Sequence, residues 1–122
     1  MEKKVCGHEI EHKERVEKVK ADMLSELEVA KMAEIFAVLS QPSRLKLVLA
    51  LLKGDMCVYH LTELCGGTVS GVSHQLRILR DKNVVKTRRL GKNVEYSIAD
   101  EHVREIVEKG KAHLICDNRG KE

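Results

Sequence analysis

Apolar and polar positions alternate along this chain with periods that change from segment to segment, and those changes mark out its elements. From about Glu11 to Met23 the charges alternate in sign, and only Val16, Val19 and Met23 form a thin helical stripe. So narrow a stripe predicts a helix that packs on another helix or subunit rather than one stable alone. Ser25 and Glu28 then have capping-box spacing, and Val29, Met32, Ala33, Phe36 and Val38/Leu39 predict a second helix facing a core. Ser40-Gln41-Pro42 restarts the chain, with the proline in a first turn where its missing N–H is harmless. Arg44 to Lys53 is strongly apolar and predicts the central helix, ended by Gly54.

The segment DMCVYHLTELCGGTVSGVSHQLRILR, residues 55–80, carries the most information. Leu61 and Leu64 predict a short helix lying on a core, and Gly66-Gly67 breaks it because glycine reaches positive φ without steric cost. Thr68 is positioned as the N-cap of the next helix, whose apolar stripe is Val72, Leu76 and Leu79. Ser70, Ser73, His74, Gln75 and Arg77 fill the rest, all side chains that hydrogen-bond to base edges or phosphates. Helix, glycine turn and polar-faced helix make a helix-turn-helix pattern. A polar face alone is by default a solvated surface; the next segment changes that. VVKTRRLGKNVEYSI alternates β-branched and polar residues around Gly91-Lys92-Asn93, a β-hairpin with Lys86, Arg88, Arg89 and Lys92 near its tip. A basic hairpin directly after such a helix is the wing of a winged helix-turn-helix, placed to reach phosphates of double-stranded DNA. Asp100 then caps a last helix running to about Cys116.

The fold expected is mainly α with a small β-hairpin. Residues 1–10 form an N-terminal arm, 11–116 one winged-helix domain and 117–122 a tail. A chain of 122 residues with 34% charged and 2% aromatic side chains has a modest core, comfortable when shared with a partner. The net charge of +3 does not by itself announce nucleic acid; the clustering of positive charge at 86 to 92 does. Neither a transmembrane-length apolar run nor a signal-peptide hydrophobic region is present, so the expected location is the cytoplasm, with no membrane partner. Four cysteines in a reducing compartment argue for metal binding or thiol chemistry over structural disulfides.

The runs SQPSRLKLVLALL, MCVYHLTEL and VSHQLRILRDKNVVKTRRLGKNVEYSIADEH closely resemble the ArsR/SmtB family of bacterial metal-responsive repressors, over roughly residues 28 to 116. The resemblance implies a homodimer that sits on operator DNA when metal-free. Metal binding then releases it and derepresses genes for metal efflux or sequestration. The chain departs from the family pattern at Gly67 and Gly71, where many relatives carry an aliphatic residue and an alanine. It departs also at His60, where Asp is common in a stretch often written ELCVCDL.

Two constellations have metal-ligand character. Cys57 and His60, at i,i+3, share a helical face and supply half of a tetrahedral site. Cys6 and His8 of the arm are candidates for the other half, with His12 as a substitute for His8. On the last helix, Asp100 and His102 stand at the start, and His113 and Cys116 form an i,i+3 pair near the end. The pairs are roughly 16 Å apart along the axis, so one ion cannot join them within a chain. Antiparallel packing of two such helices across a dimer would bring each start against the other's end and make two symmetric sites. The resembling family has both classes of site: one pairs the arm with the Cys-containing helix of the other protomer, and the second usually carries a final His or Glu where this chain has Cys116. Alone, Cys57 would be a small buried hydrophobe and Asp100 merely a cap; it is the company they keep that favours ligation. Imidazole, thiolate and carboxylate together suit zinc first, then cadmium or lead. Cys65 lies apart from both groups. A thiol-redox repressor using Cys6 and Cys57, or Cys57 and Cys65, is the alternative on the same fold. A small zinc enzyme is a remote one, with no HExxH and no general base beside an open metal position.

Overall fold

The computed structural model describes residues 9–120. The order of elements is α1 (Glu9–Asp22), α2 (Glu26–Leu39), α3 (Pro42–Leu51), β1 (Met56–Cys57), α4 (Val58–Cys65), α5 (Val69–Asp81), β2 (Val85–Leu90), β3 (Asn93–Ile98) and α6 (Glu101–Gly120). This is a winged helix-turn-helix, mainly helical with a three-stranded antiparallel sheet in the order β1-β3-β2. The chain divides after Met32 into two compact units. Among the described residues, no helix is long and apolar enough to cross a membrane.

In the first unit α1 begins at Glu9, two residues before the start suggested by the charge pattern, and Val16, Val19 and Met23 are exposed. The capping box that opens α2 is present: Ser25 N donates to Glu28 Oε1 at 2.9 Å and Glu28 N to Ser25 Oγ at 3.1 Å. The backbone hydrogen bond from Ser25, and then its side-chain bond, hold the Glu28 carboxyl below its ordinary range. A carboxylate with a lowered folded pKa supports the helix start above its unfolded pKa and loses that support as pH falls through the folded value.

In the second unit the core joins Leu47, Val48 and Leu51 of α3, Leu61 of α4, Val72, Leu76 and Leu79 of α5, and Val84, Val85 and Ile98 at the root of the hairpin. Val103 and Val107 of α6 close it. Three expectations are corrected. Leu64 is 61% exposed, because a helix of eight residues buries one side and Leu61 holds that side. On α2 only Val38 and Leu39 are buried, while Val29, Met32, Ala33 and Phe36 face outward. Periodicity shows that a face is apolar; it does not say whether the same chain supplies the cover. The hairpin turn is the pair Gly91-Lys92, since Asn93 already pairs with Leu90. Gly91 takes φ 61 at the first central position, as a II′ turn requires. The strand β1 was not foreseen, because two residues are too few to show alternation.

The glycine turn before α5 is conformationally demanding. Gly66 and Gly67 stand at φ 88 and 90, a region where a side chain is strained. Gly71 differs: its φ is not positive, and an added Cβ would lie 3.0 Å from Thr68 Oγ1, so the hydroxyl must give by a few tenths of an ångström. That hydroxyl is also the cap of α5, accepting from Gly71 N. Thr68→Ala, which removes the cap, should cost about 1 kcal/mol in a denaturant titration.

Candidate nucleic-acid interface and metal half-sites

Thr68 Oγ1 accepts from Gly71 N at 3.0 Å and starts α5 sharply. With Val72, Leu76 and Leu79 buried, the same helix leaves Ser70, His74 and Arg77 exposed, with Ser73 and Gln75 half-buried. Of these five polar side chains, Gln75 is tied to another element. Its Oε1 accepts from Arg44 Nη1 at 3.1 Å, and Arg44 Nε donates to the Val38 carbonyl at 2.9 Å. Arg44 escaped the sequence reading because its partner lies 31 residues away and no local pattern announces it.

In the wing, directly opposed residues share a face of the sheet. Lys86, Arg88 and Leu90 lie on one face with Ser97, Glu95 and Asn93, and Val85, Thr87 and Arg89 lie on the other. Lys86, Arg88, Arg89 and Lys92 are all exposed. Arg88 Nη2 is 3.2 Å from Glu95 Oε1, so part of its charge is answered within the wing. Strand β1 extends this row, for Cys57 is paired with Glu95. A candidate metal ligand thus stands two strands from a candidate phosphate contact.

Cys57 is not on the helix with His60, as i,i+3 spacing suggested. It ends β1 and occupies the N-cap position of α4, with φ −84 and ψ 169. The two side chains nevertheless converge, because an N-cap side chain faces the residue three positions on, as in a capping box. Cys57 Sγ lies 3.6 Å from His60 Nδ1. A tetrahedral zinc with Zn–S about 2.3 Å and Zn–N about 2.0–2.1 Å spans its sulfur and nitrogen donors by about 3.5 Å. The pair fits that edge. Cys6 and His8 lie outside the described residues.

At the start of α6, Asp100 Oδ1 accepts from Val103 N at 3.0 Å, so the aspartate is indeed an N-cap. Its second oxygen takes no part in that bond, and His102 Nδ1 stands 3.8 Å from Oδ1. His113 and Cys116 are exposed further along the same helix, which continues to Gly120 rather than ending near Cys116. Arg104 Nη1 anchors the base of α6 by donating to the Leu52 carbonyl at 3.1 Å. Among the described residues, no group of three or more His, Cys, Asp or Glu side chains comes together to hold a metal. What comes together within the chain are pairs, Cys57 with His60 and Asp100 with His102.

Cys65 belongs to neither. It is half-buried beside the Lys46 carbonyl; desolvation pushes its thiol pKa up, and the Lys46 charge offsets only part of that. Cys57 precedes α4 and Cys65 is its last residue, eight positions on, a span of roughly 12 Å at about 1.5 Å per residue. That exceeds the Cα separation of a disulfide, so the Cys57–Cys65 redox pairing does not fit this structure.

Residues 41–87, from the start of α3 into the wing, match the family model described as "Bacterial regulatory protein, arsR family". Over 110 residues the chain is 42% identical to the "Transcriptional repressor SmtB homolog" of Synechocystis sp., covering 90% of this chain and 83% of that protein. The chain belongs to the ArsR/SmtB family. It is therefore a transcriptional regulator and not an enzyme. A second ArsR/SmtB relative, the "Cadmium resistance transcriptional regulatory protein CadC homolog" of Staphylococcus aureus, is 34% identical over 93% of both chains. Among solved structures of this fold, the AntR antimony-specific transcriptional repressor superposes with a TM-score of 0.72 at 30% identity, covering 80% of this chain and 89% of that one.

Proposed function

We propose that this regulator is a homodimeric repressor that holds operator DNA when metal-free and is released by zinc, with cadmium or lead as further effectors, in the cytoplasm. The observation that carries the reading is the Cys57–His60 pair, whose 3.6 Å separation suits one edge of a tetrahedral thiolate–imidazole site. Cys6 and His8 of the partner subunit would complete it, with His12 able to replace His8. Asp100 and His102 of one protomer would meet His113 and Cys116 of the partner subunit at the second site. Ser70, Ser73, His74, Gln75 and Arg77 would face the major groove, and Lys86, Arg88, Arg89 and Lys92 the phosphates.

An apolar groove supports the dimer. Phe36, Leu45, Leu49, Ile106 and Leu114 line a cavity of about 470 Å³ between α2, α3 and α6. Phe36, Ile106, Leu114 and Ile115 are each more than 40% exposed in the single chain. A second copy laid along α6 would cover them and bring the two α6 half-sites together. Metal shared between chains would fix the relative orientation of the reading helices, turning metal affinity into lost DNA affinity. The row Cys57–Glu95–Arg88 offers a shorter route from the first site to the wing.

Site-directed variants test the assignment. If the α6 site is the one coupled to DNA, His113→Ala should abolish release by zinc; if the Cys57 site is coupled, Cys57→Ser should. Retention of full release in both variants would sink the metal-switch account.

A further inference from the structure

Of the fourteen residues of α2 only Val38 and Leu39 are buried, so little apolar packing holds this helix to the winged-helix core. Polar links do more. Arg44 of α3 donates from Nε to the Val38 carbonyl at 2.9 Å and from Nη1 to Gln75 Oε1 at 3.1 Å. The Val38 carbonyl lies in the last turn of α2, where carbonyls have no partner within the helix. One half-buried guanidinium thus joins the end of α2 to α5 by two charge-assisted hydrogen bonds. A second link runs from Lys82 Nζ, at the end of α5, to Glu34 Oε1 on α2 at 2.5 Å. Glu34 and Val38 are one turn apart on α2, and Gln75 and Lys82 two turns apart on α5. The links therefore form a polar seam along one side of each helix.

Phe36 stands between Glu34 and Val38 in the chain but points to another side of α2, into the apolar groove with Leu45, Leu49, Ile106 and Leu114. The helix has the seam on one side and a wall of the groove on the other. Val72, Leu76 and Leu79 fix α5 in the core, so the seam decides where that wall stands relative to α5. In a two-fold dimer joined through the groove, a rotation of α2 occurs in both protomers and changes the separation of the two α5 helices. Half-sites of dimeric helix-turn-helix proteins lie about 10–10.5 base pairs apart, or a multiple of that, and one base pair is about a tenth of a helical turn. We propose that Arg44, seconded by the Lys82–Glu34 pair, is a positioning residue that sets the half-site spacing the dimer accepts. This rests on the reading of the chain as a homodimer whose α5 helices enter the major groove. An exposed pair such as Lys82–Glu34 contributes little to stability, so its loss is read in geometry rather than in unfolding.

The test uses the full-length chain and the duplex just upstream of its own gene. The segment between the two protected half-sites is shortened or lengthened by one and two base pairs, and affinity is measured for each duplex. The natural chain should lose tenfold or more on a one-base-pair change. Arg44→Met/Lys82→Met, folded by circular dichroism and dimeric by sedimentation, should discriminate by threefold or less, or prefer another spacing. Lys82→Arg keeps the ion pair and should keep the natural ratio. If Lys82 served only as a phosphate contact, its loss would weaken all spacings alike and leave the ratio unchanged. Should the double variant fail to fold or to dimerise, Lys82→Met decides: its discrimination should fall at least twofold below that of Lys82→Arg. The natural ratio in the folded, dimeric double variant overturns the inference, as does the natural ratio in Lys82→Met where that variant decides. So does a natural chain that binds every spacing equally. A natural chain that is monomeric, or that protects no pair of half-sites, would instead remove the premise of a dimeric reader, and the inference with it.

Discussion

Leu76→Ala is expected to destabilise the winged-helix unit by about 2–5 kcal/mol and to cost sequence-specific DNA binding at physiological temperature. Leu76 is fully buried and lies on the inner stripe of α5 with Val72 and Leu79, packed among α3, α4 and the root of the hairpin. Alanine there removes apolar burial and leaves a cavity that close-packed neighbours fill only in part. Domains of this size have about 5–15 kcal/mol in total, so the loss is a large fraction. Urea titration of the purified chain measures it. Leu64→Ala is the control: Leu64 is 61% exposed, and its loss should stay within about 0.5 kcal/mol. Equal effects of the two substitutions would contradict the packing described here.

The second large effect concerns the wing. Each lysine or arginine that neutralises a phosphate contributes about 0.9 to the slope of log affinity against log salt. Arg89 and Lys92 are exposed near the hairpin tip. In a dimer, replacing both by alanine removes four contacts. The slope should then fall by about 3.6 units, which at about 0.15 M salt corresponds to roughly a thousandfold loss of affinity. Glu95→Gln should act in the opposite direction, because it frees Arg88 from its 3.2 Å ion pair and makes its charge available to DNA. Anisotropy titrations of the same duplex at several salt concentrations read both variants. An unchanged slope in the Arg89→Ala/Lys92→Ala protein would remove the wing from the interface.

Most of the fold could be read from periodicity because its helices are long enough to show it. The inner stripe of α5, the cap at Thr68 and the capping box at Ser25 and Glu28 all follow from local spacing, and all are present. Features set by distant partners could not be read. Strand β1 exists because Met56 and Cys57 pair with Tyr96 and Glu95, some 40 residues away in sequence. That pairing moves Cys57 off the helix and into the N-cap position without separating it from His60. Arg44 is legible only through Val38 and Gln75. Likewise the outward face of Phe36, Ile106 and Leu114 shows its apolar character in the sequence and its lack of cover only in the folded chain. The candidate metal ligands divide in the same manner: spacing picked out each pair, whereas no third donor joins either pair among the described residues.

The proposed competition between a metal ion and operator DNA runs through one dimer. Its most direct test is fluorescence anisotropy of a labelled duplex from just upstream of this protein's own gene, at fixed salt, first with chelator and then with stoichiometric zinc. The account predicts tight binding in chelator that zinc weakens by tenfold or more, a coupling of at least about 1.4 kcal/mol. DNA affinity that zinc, cadmium and lead all leave unchanged would contradict it.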